Sequence, residues 1–331
     1  MRHIKLAEVE ETRNTPGRAV LLFITDRCPV GCTHCSVDSR RDSPTISDFG
    51  LFEDILSGIC ALPDLTMVGI SGGEPFVERR GLVLATERFA AAGKDIVLYT
   101  SGIWANPVIP AWISSVLSQA SCVFLSTDAF HAAAIDDERF VRAAQTIASA
   151  GPWIIVQVLK LPEMVEKAKQ LLQKAFGEEY EVHAELSLIS PLPYGRAAHM
   201  FAQQVRHRGE TFGTCNALAS QVVRYDGVIS ACCNERVLMG FGPERLRRRV
   251  ASADGVVQGT ADIRADATLN ILSQAGAGIL TYHPLFADLA DREFSSICEL
   301  CWEMQKRLSS SLNAPDRLLS AMTILGRSKT E

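Results

Sequence analysis

Six short, near-continuously apolar runs, each followed by a helix-like stretch, limit what this chain can fold into more than any other feature. The runs are Ala19–Ile24, Met67–Ser71, Asp95–Tyr99, Cys122–Ser126, Trp153–Leu159 and Val182–Ile189. Strands buried on both faces read as continuous apolar runs, whereas strands with one wet face alternate. The intervening stretches are amphipathic. Phe49, Phe52, Ile55, Leu56 and Ile59 recur at helical spacing after Ser43-Pro44, and Pro162 to Phe176 sets Val165, Ala168, Leu171 and Leu172 against lysines. Alternating strands and helices imply a parallel sheet with right-handed crossovers. Six units are too few for a complete eight-unit barrel. The expectation is therefore an α/β fold, an open, partial (β/α)6 TIM-like barrel with its reactive groups at the C-terminal ends of the strands.

After about Met200 this pattern breaks. Gln221-Val222-Val223-Arg224-Tyr225, then Asp226-Gly227, then Val228-Ile229-Ser230 reads as a tight hairpin, because Asp-Gly between two β-like runs favours a two-residue turn. Helical stretches follow, then Cys298-Glu299-Leu300-Cys301. The expected organisation is a barrel over 1–207, a small C-terminal extension over 208–326 and a frayed tail over 327–331.

Composition narrows the setting. With 47% hydrophobic and 21% charged residues a packed core is expected, and a net charge of −5 with both signs dispersed argues against a nucleic-acid partner. Met1-Arg2-His3-Ile4-Lys5 does not open a secretory signal, and no apolar run reaches the ~18 residues that span a bilayer. The expected location is the cytoplasm, with no membrane partner, where ten cysteines are not expected to pair as disulfides. Eight lie in or near short groupings suited to metal or redox chemistry. Cys60 and Cys122 stand alone in apolar surroundings and read as core residues. The basic run Arg245, Leu246, Arg247, Arg248, Arg249 reads as a solvated helix face, with a docking patch for an acidic substrate segment as the alternative.

Cys28-Pro29-Val30-Gly31-Cys32-Thr33-His34-Cys35 has the spacing C-x3-C-x2-C directly after the first strand. Three thiolates on one tight loop can bind three irons of a cubane and leave the fourth iron open. That open iron could chelate the amino and carboxylate groups of a methionine. Zinc, closed by a fourth ligand such as His34, is the alternative. Further on stand Ser71-Gly72-Gly73-Glu74-Pro75 after strand two, Thr100-Ser101-Gly102 after strand three, Ser126-Thr127-Asp128 after strand four and Gln157 on strand five.

Over roughly residues 18 to 205 these elements resemble the radical S-adenosylmethionine (radical SAM) superfamily. Ser71 to Pro75 looks like its GGEP motif, Thr100-Ser101-Gly102 like its T-N-G element with serine for asparagine, and Ser126-Thr127-Asp128 like its S-x-D element. The resemblance implies a [4Fe–4S] cluster on Cys28, Cys32 and Cys35. It also implies S-adenosylmethionine contacts from Gly72, Gly73, Glu74, Pro75, Ser101, Ser126, Asp128 and Gln157, with Glu74 accepting from the ammonium group. His131 is a candidate for facing the substrate. A 5′-deoxyadenosyl radical would then abstract hydrogen from an unactivated C–H bond, after an electron from a low-potential donor such as a flavodoxin or ferredoxin.

A second constellation comprises Cys215, Cys232, Cys298 and Cys301. Eleven residues separate Cys215 from Gly227 and four separate Gly227 from Cys232. This resembles the C-x9–15-G-x4-C signature of SPASM and twitch extensions, which implies one fully ligated auxiliary [4Fe–4S] cluster. A four-thiolate zinc site satisfies the spacing as well.

Cys233, next to Cys232, is either a spare thiol or something more. Ser101-Gly102-Ile103-Trp104, Phe130-His131, the Cys232-Cys233 pair and Phe294-Ser295-Ser296-Ile297-Cys298-Glu299-Leu300-Cys301 are similar to elements of the YydG-type peptide epimerases. That resemblance implies a ribosomally made peptide substrate, Cα epimerisation and Cys233 as hydrogen-atom donor. The alternatives are twitch-type dehydrogenation or rearrangement of a small molecule (a sugar or nucleoside), and peptide thioether or C–C crosslinking. With about 18 residues before the first strand, a leader-peptide recognition domain is not expected ahead of the barrel.

Overall fold

The computed structural model describes residues 2–33, 35–127, 134–190 and 205–310. A first helix α1 (Leu6–Asn14) precedes five strand–helix units and a sixth strand: β1 (Ala19–Phe23), α2 (Phe49–Cys60), β2 (Met67–Ser71), α3 (Arg79–Ala91), β3 (Asp95–Thr100), α4 (Ala111–Leu117), β4 (Cys122–Ser126), α5 (Asp137–Ala150), β5 (Trp153–Leu159), α6 (Pro162–Phe176) and β6 (Ala184–Ile189). There follow β7 (His207–Arg208), the hairpin β8 (Gln221–Arg224) and β9 (Val228–Ser230), α7 (Glu235–Leu238) and β10 (Arg247–Arg249). The described chain ends with α8 (Ala253–Ala265), α9 (Ala267–Gln274), α10 (Ala277–Leu280), β11 (Glu293–Phe294) and α11 (Ile297–Ser310).

Local chemistry sets several helix ends. Asp48 accepts from the Leu51 amide at 3.0 Å and Asp136 from the Arg139 amide at 2.8 Å, capping α2 and α5. Such caps contribute about 1 kcal/mol each. Pro162 opens α6, where its missing amide costs nothing.

One nine-stranded sheet runs in the order β10-β9-β8-β1-β2-β3-β4-β5-β6. The strands β1 to β6 are parallel, as expected for an α/β fold. The sheet is open, and β10 and β6 are its edges. The C-terminal hairpin continues this sheet: β8 lies parallel to β1, with Val20 opposite Gln221 and Phe23 opposite Arg224. The hairpin itself closes antiparallel, Val222 opposite Ser230.

Alternate residues of each strand face opposite layers. Leu22, Ile70, Leu98, Leu125 and Val156 pack with Phe52, Ile55, Phe89 and Ile147 of the flanking helices. The other face carries Ala19, Met67, Val97, Phe124 and Ile155, closed at one end by Ile4 and Val9 beside α1. This small helix is pinned at both ends. The Leu6 amide donates to Glu185 Oε1 at 2.8 Å, and Ser220 Oγ donates to the Arg13 carbonyl at 3.0 Å.

Two details differ from the sequence reading. The arginine run forms the edge strand β10, paired antiparallel to β9, instead of a helix face. Its charges are spent locally: Arg247 donates to the Phe241 and Gly242 carbonyls, Arg248 to those of Arg245 and Arg247, and Arg245 pairs with Asp266 at 2.9 Å. Charged side chains along an edge also discourage pairing with another chain. Cys122 is fully buried, but Cys60 is only half-buried. No helix among the described residues is long and apolar enough to cross a membrane.

Candidate functional site

The segment that follows β1 runs across a ledge made by the first glycines after β2. Gly73 N donates to the Thr25 carbonyl at 2.7 Å and Glu74 N to the Arg27 carbonyl at 2.9 Å. A Cβ on Gly73 would lie 2.3 Å from the Arg27 oxygen, and one on Gly72 would lie 2.6 Å from the Thr25 oxygen. The Gly-Gly pair is thus dictated by backbone docking on backbone. The Cys28 amide donates to the Arg40 carbonyl at 2.9 Å, closing the cysteine loop at its far side.

Cys28, Cys32 and Cys35 are half-buried and line one cavity of about 260 Å³, together with Gly72, Gly73, Ser101, Ser126 and Gln157. Ser126 and Gln157 are direct neighbours across β4 and β5. Burial pushes the Cys28 thiol up to about 12, while the Val30 and Gly31 amides donate to its sulfur and pull the other way. Amide donors aimed at sulfur suit a metal-bound thiolate. Asp128 and His131 lie outside the described residues.

Glu74 is not among the residues that line this cavity. It is buried behind the cavity wall, and its oxygens accept from Thr100 Oγ1 (2.8 Å), the Ser101 amide (2.9 Å), Ser101 Oγ (2.5 Å) and the Phe76 amide (3.2 Å). Thr100 Oγ1 in turn accepts from Trp104 Nε1 at 2.9 Å. Four protein donors occupy the carboxylate, so Glu74 ties the β2 and β3 loops together. Burial pushes its carboxyl up, and the bonds from Ser101 and Thr100 pull it back down. Pro75, buried, starts the short helical turn Pro75–Val77 beside it.

Cys215, Cys232, Cys298 and Cys301 are drawn together by three elements. The hairpin returns the chain so that the Cys233 amide donates to the Ala217 carbonyl at 3.3 Å. Asn234 caps α7 and donates from Nδ2 to Cys298 Sγ at 3.4 Å. Cys298 and Cys301 sit in the first turns of α11. Burial first, then the neighbouring thiols, raises the Cys301 proton affinity well above normal, and Cys232 and Cys215 are the first of those neighbours. Burial likewise pushes Cys298 up to about 11, with Cys215 the next cause. The Ala217 and Leu218 amides donate to the Cys215 sulfur. Filling the site with a cationic metal group would offset the desolvation of these thiols.

Among the described residues, no three His, Cys, Asp or Glu side chains converge on a point that could hold a single metal ion. Cys28, Cys32 and Cys35 instead line a shared space. That fits a polynuclear cluster, whose thiolates bind separate irons.

A second cavity, of about 540 Å³, adjoins the first along the same face of the sheet. Ser36, Val37, Gly72, Tyr99 and Gln157 border both spaces. Cys233 lines the second together with Arg13, Tyr99 and Glu235. Burial pushes the Cys233 thiol up, and the Arg13 cation opposes that shift. Arg13, Tyr99 and Glu235 carried no motif in the sequence. A lone arginine in an N-terminal helix of low amphipathicity gives no signal that it will point into a cavity closed by strands far along the chain.

No protein-family model matches this chain, and no curated protein matches it. Solved structures do. Native anSMEcpe with bound AdoMet and Cp18Cys peptide aligns with a TM-score of 0.50 at 14% identity, over 77% of this chain and 82% of that chain. Streptococcus suis SuiB bound to precursor peptide SuiA gives 0.49 at 12% identity, over 80% of this chain and 68% of that one. BtrN in complex with AdoMet and 2-DOIA gives 0.45 at 14% identity, over 83% and 92%. At the level of backbone architecture, the chain has the mostly parallel, helix-flanked α/β fold of the radical SAM enzyme anSMEcpe.

Proposed function

We propose that this chain is a radical SAM enzyme that abstracts hydrogen from a substrate held in the cavity below the Cys28 loop. In this reading Cys28, Cys32 and Cys35 hold the S-adenosylmethionine-binding [4Fe–4S] cluster. Cys215, Cys232, Cys298 and Cys301 hold a closed auxiliary cluster, and 208–326 forms the auxiliary-cluster extension. The observation that carries the reading is that the two cavities adjoin: the three-cysteine space shares Ser36, Val37, Gly72, Tyr99 and Gln157 with the space lined by Cys233. When bound, the cluster and S-adenosylmethionine supply the primary carbon radical that attacks C–H bonds. The protein's part is to align that bond and keep water out.

The Gly72-Gly73 ledge, Ser101, Ser126 and Gln157 form the walls that would hold S-adenosylmethionine. Glu74 acts one layer behind, fixing Ser101. Asp128 completes the set carried over from the resemblance. Cys233 would return a hydrogen atom to the substrate Cα radical on the face opposite the abstraction. A C–H bond forms, the S–H bond breaks, and the thiyl needs one electron and one proton to reset. The substrate reading is a peptide, as in anSMEcpe, which holds the Cp18Cys peptide. A small-molecule substrate is the second reading, favoured by a cavity of about 540 Å³, within the range of small-molecule sites.

Anaerobic reconstitution tests both clusters. Wild type should retain about eight irons, and Cys28→Ala/Cys32→Ala/Cys35→Ala about four, with 5′-deoxyadenosine release abolished only in the variant. Release by the triple variant would refute the assignment. In heavy water, one deuterium in a product of unchanged formula supports the Cys233 role, whereas loss of two hydrogens indicates dehydrogenation.

A further inference from the structure

Two groups of opposite charge, Arg13 and Glu235, line the second cavity together with the Cys233 thiol, and no ion pair joins them. Arg13 is in the last turn of α1, its backbone held by the hydrogen bond from Ser220 Oγ at 3.0 Å. Its guanidinium lies beside the Tyr99 hydroxyl and the Cys233 thiol. The nearest carboxylate influence on it, Glu10, sits exposed on the same helix and acts more weakly than Tyr99 or Cys233. Glu235 opens α7 two residues after Cys233, and burial pushes its carboxyl up without a cation to hold it down. Arg13 and Glu235 are both half-buried and both line the same space.

A half-buried charge at a cavity wall without a counter-ion costs stability that a complementary ligand can repay. The rest of the lining is apolar or weakly polar, including Leu21, Phe23, Val97 and Leu238. Oriented charges on apolar walls are the usual makings of a site that fixes the direction of its ligand.

We propose that Arg13 and Glu235 are the two ends of a recognition site, so that the substrate group lodged beside Cys233 carries an anion towards Arg13 and a cation towards Glu235. This rests on the reading that the substrate enters the space below the Cys28 loop. It adds the substrate's chemistry: a dipolar group, with the reacting carbon between its charges. Tyr99 completes the anion end with a hydroxyl, and Arg13 and Glu235 serve as binding and specificity residues. The dipolar group can belong to a free amino-acid-like molecule or to a peptide segment with neighbouring acidic and basic side chains.

The test is equilibrium binding to the reconstituted, S-adenosylmethionine-loaded protein with two probe families. One comprises L-leucine, its methyl ester and N-acetyl-L-leucine. The other comprises a doubly capped pentapeptide with glutamate and lysine flanking leucine, and its counterpart with two glutamines. The dipolar member of one family should bind roughly tenfold or more tightly than its single-charge or neutral analogues, about one charge-assisted hydrogen bond. Which family shows the advantage identifies the source. Arg13→Gln should erase the benefit of the carboxylate and Glu235→Gln that of the amine. Arg13→Lys and Glu235→Asp should restore part of each, at melting temperatures close to wild type. Equal binding within both families, no binding of any probe, or folded variants that keep the wild-type order would overturn the proposal. Failure of the wild type to release 5′-deoxyadenosine under reductant is a separate outcome. It sinks the radical reading and leaves the binding result standing.

Discussion

Arg224 grips Asp26 with both arms of its guanidinium, Nη1 to Oδ1 at 3.0 Å and Nη2 to Oδ2 at 2.8 Å, and both side chains are buried. Tyr225 Oη donates to the same carboxylate at 2.9 Å. Asp26 stands two residues before Cys28, and Arg224 ends the strand that leads into the hairpin of Cys232. One ion pair therefore couples the loops that carry the two cysteine sets.

Removing Arg224 should leave the Asp26 charge buried without its cation, whereas removing Asp26 leaves Arg224 paired with Asp226 at 3.2 Å. Arg224→Met is expected to cost about 3–5 kcal/mol in urea unfolding, Asp26→Asn less, and the double variant less than the sum of the two. Additive single effects would show that the pair is not coupled.

Glu74→Gln replaces an acceptor-only group with one whose amide N–H₂ must face protein donors. A loss of roughly 1–3 kcal/mol is expected, with Trp104 emission changing as its hydrogen bond through Thr100 loosens. An unchanged melting temperature would mean that the four bonds to this carboxylate are dispensable.

Gly227 adopts φ +80°, and a Cβ there would sit 2.4 Å from the Val250 carbonyl oxygen. Gly227→Ala is expected to destabilise by about 1–3 kcal/mol and to lower iron retained by the Cys215 set while sparing the Cys28 set. Iron analysis in a Cys28→Ala/Cys32→Ala/Cys35→Ala background separates the two.

Glu235 gives a pH signature of definite sign. Burial raises its folded-state affinity for a proton above that of the unfolded chain, so its carboxyl destabilises the fold as pH climbs from the ordinary carboxylate range through its folded pKa. Below that range the penalty vanishes. Glu235→Gln should therefore unfold later than wild type at pH 7.5, with the advantage shrinking towards pH 4. Parallel denaturation curves at the two pH values check it, and an advantage that grows on acidification would reverse the assignment.

Where burial on two faces shaped the residue pattern, the sequence was readable. The runs at Met67–Ser71, Cys122–Ser126 and Trp153–Leu159 are strands with those bounds, and Pro162 to Phe176 is a helix. Asp226-Gly227 marked its hairpin because turn chemistry is local. Relationships between distant segments left no such trace. Nothing in Gln221–Arg224 announces β1 as its neighbour, and nothing in Glu74 reveals that Thr100 and Ser101 will occupy it. The arginine run misled because a three-residue edge strand of half-buried and exposed arginines carries no hydrophobic period to separate it from a wet helix.

The pairing of β8 with β1 has a consequence for how the molecule is made. Val20 emerges from the ribosome early, while its partner Gln221 follows roughly two hundred residues later, so that side of β1 waits as an open edge through most of synthesis. Open strand edges invite pairing with other chains. The arrival of the hairpin seals that edge and, through Arg224 and Asp26, braces the cysteine loop in the same event. Shielding from aggregation and bracing of the cysteine loop thus become one late step of assembly.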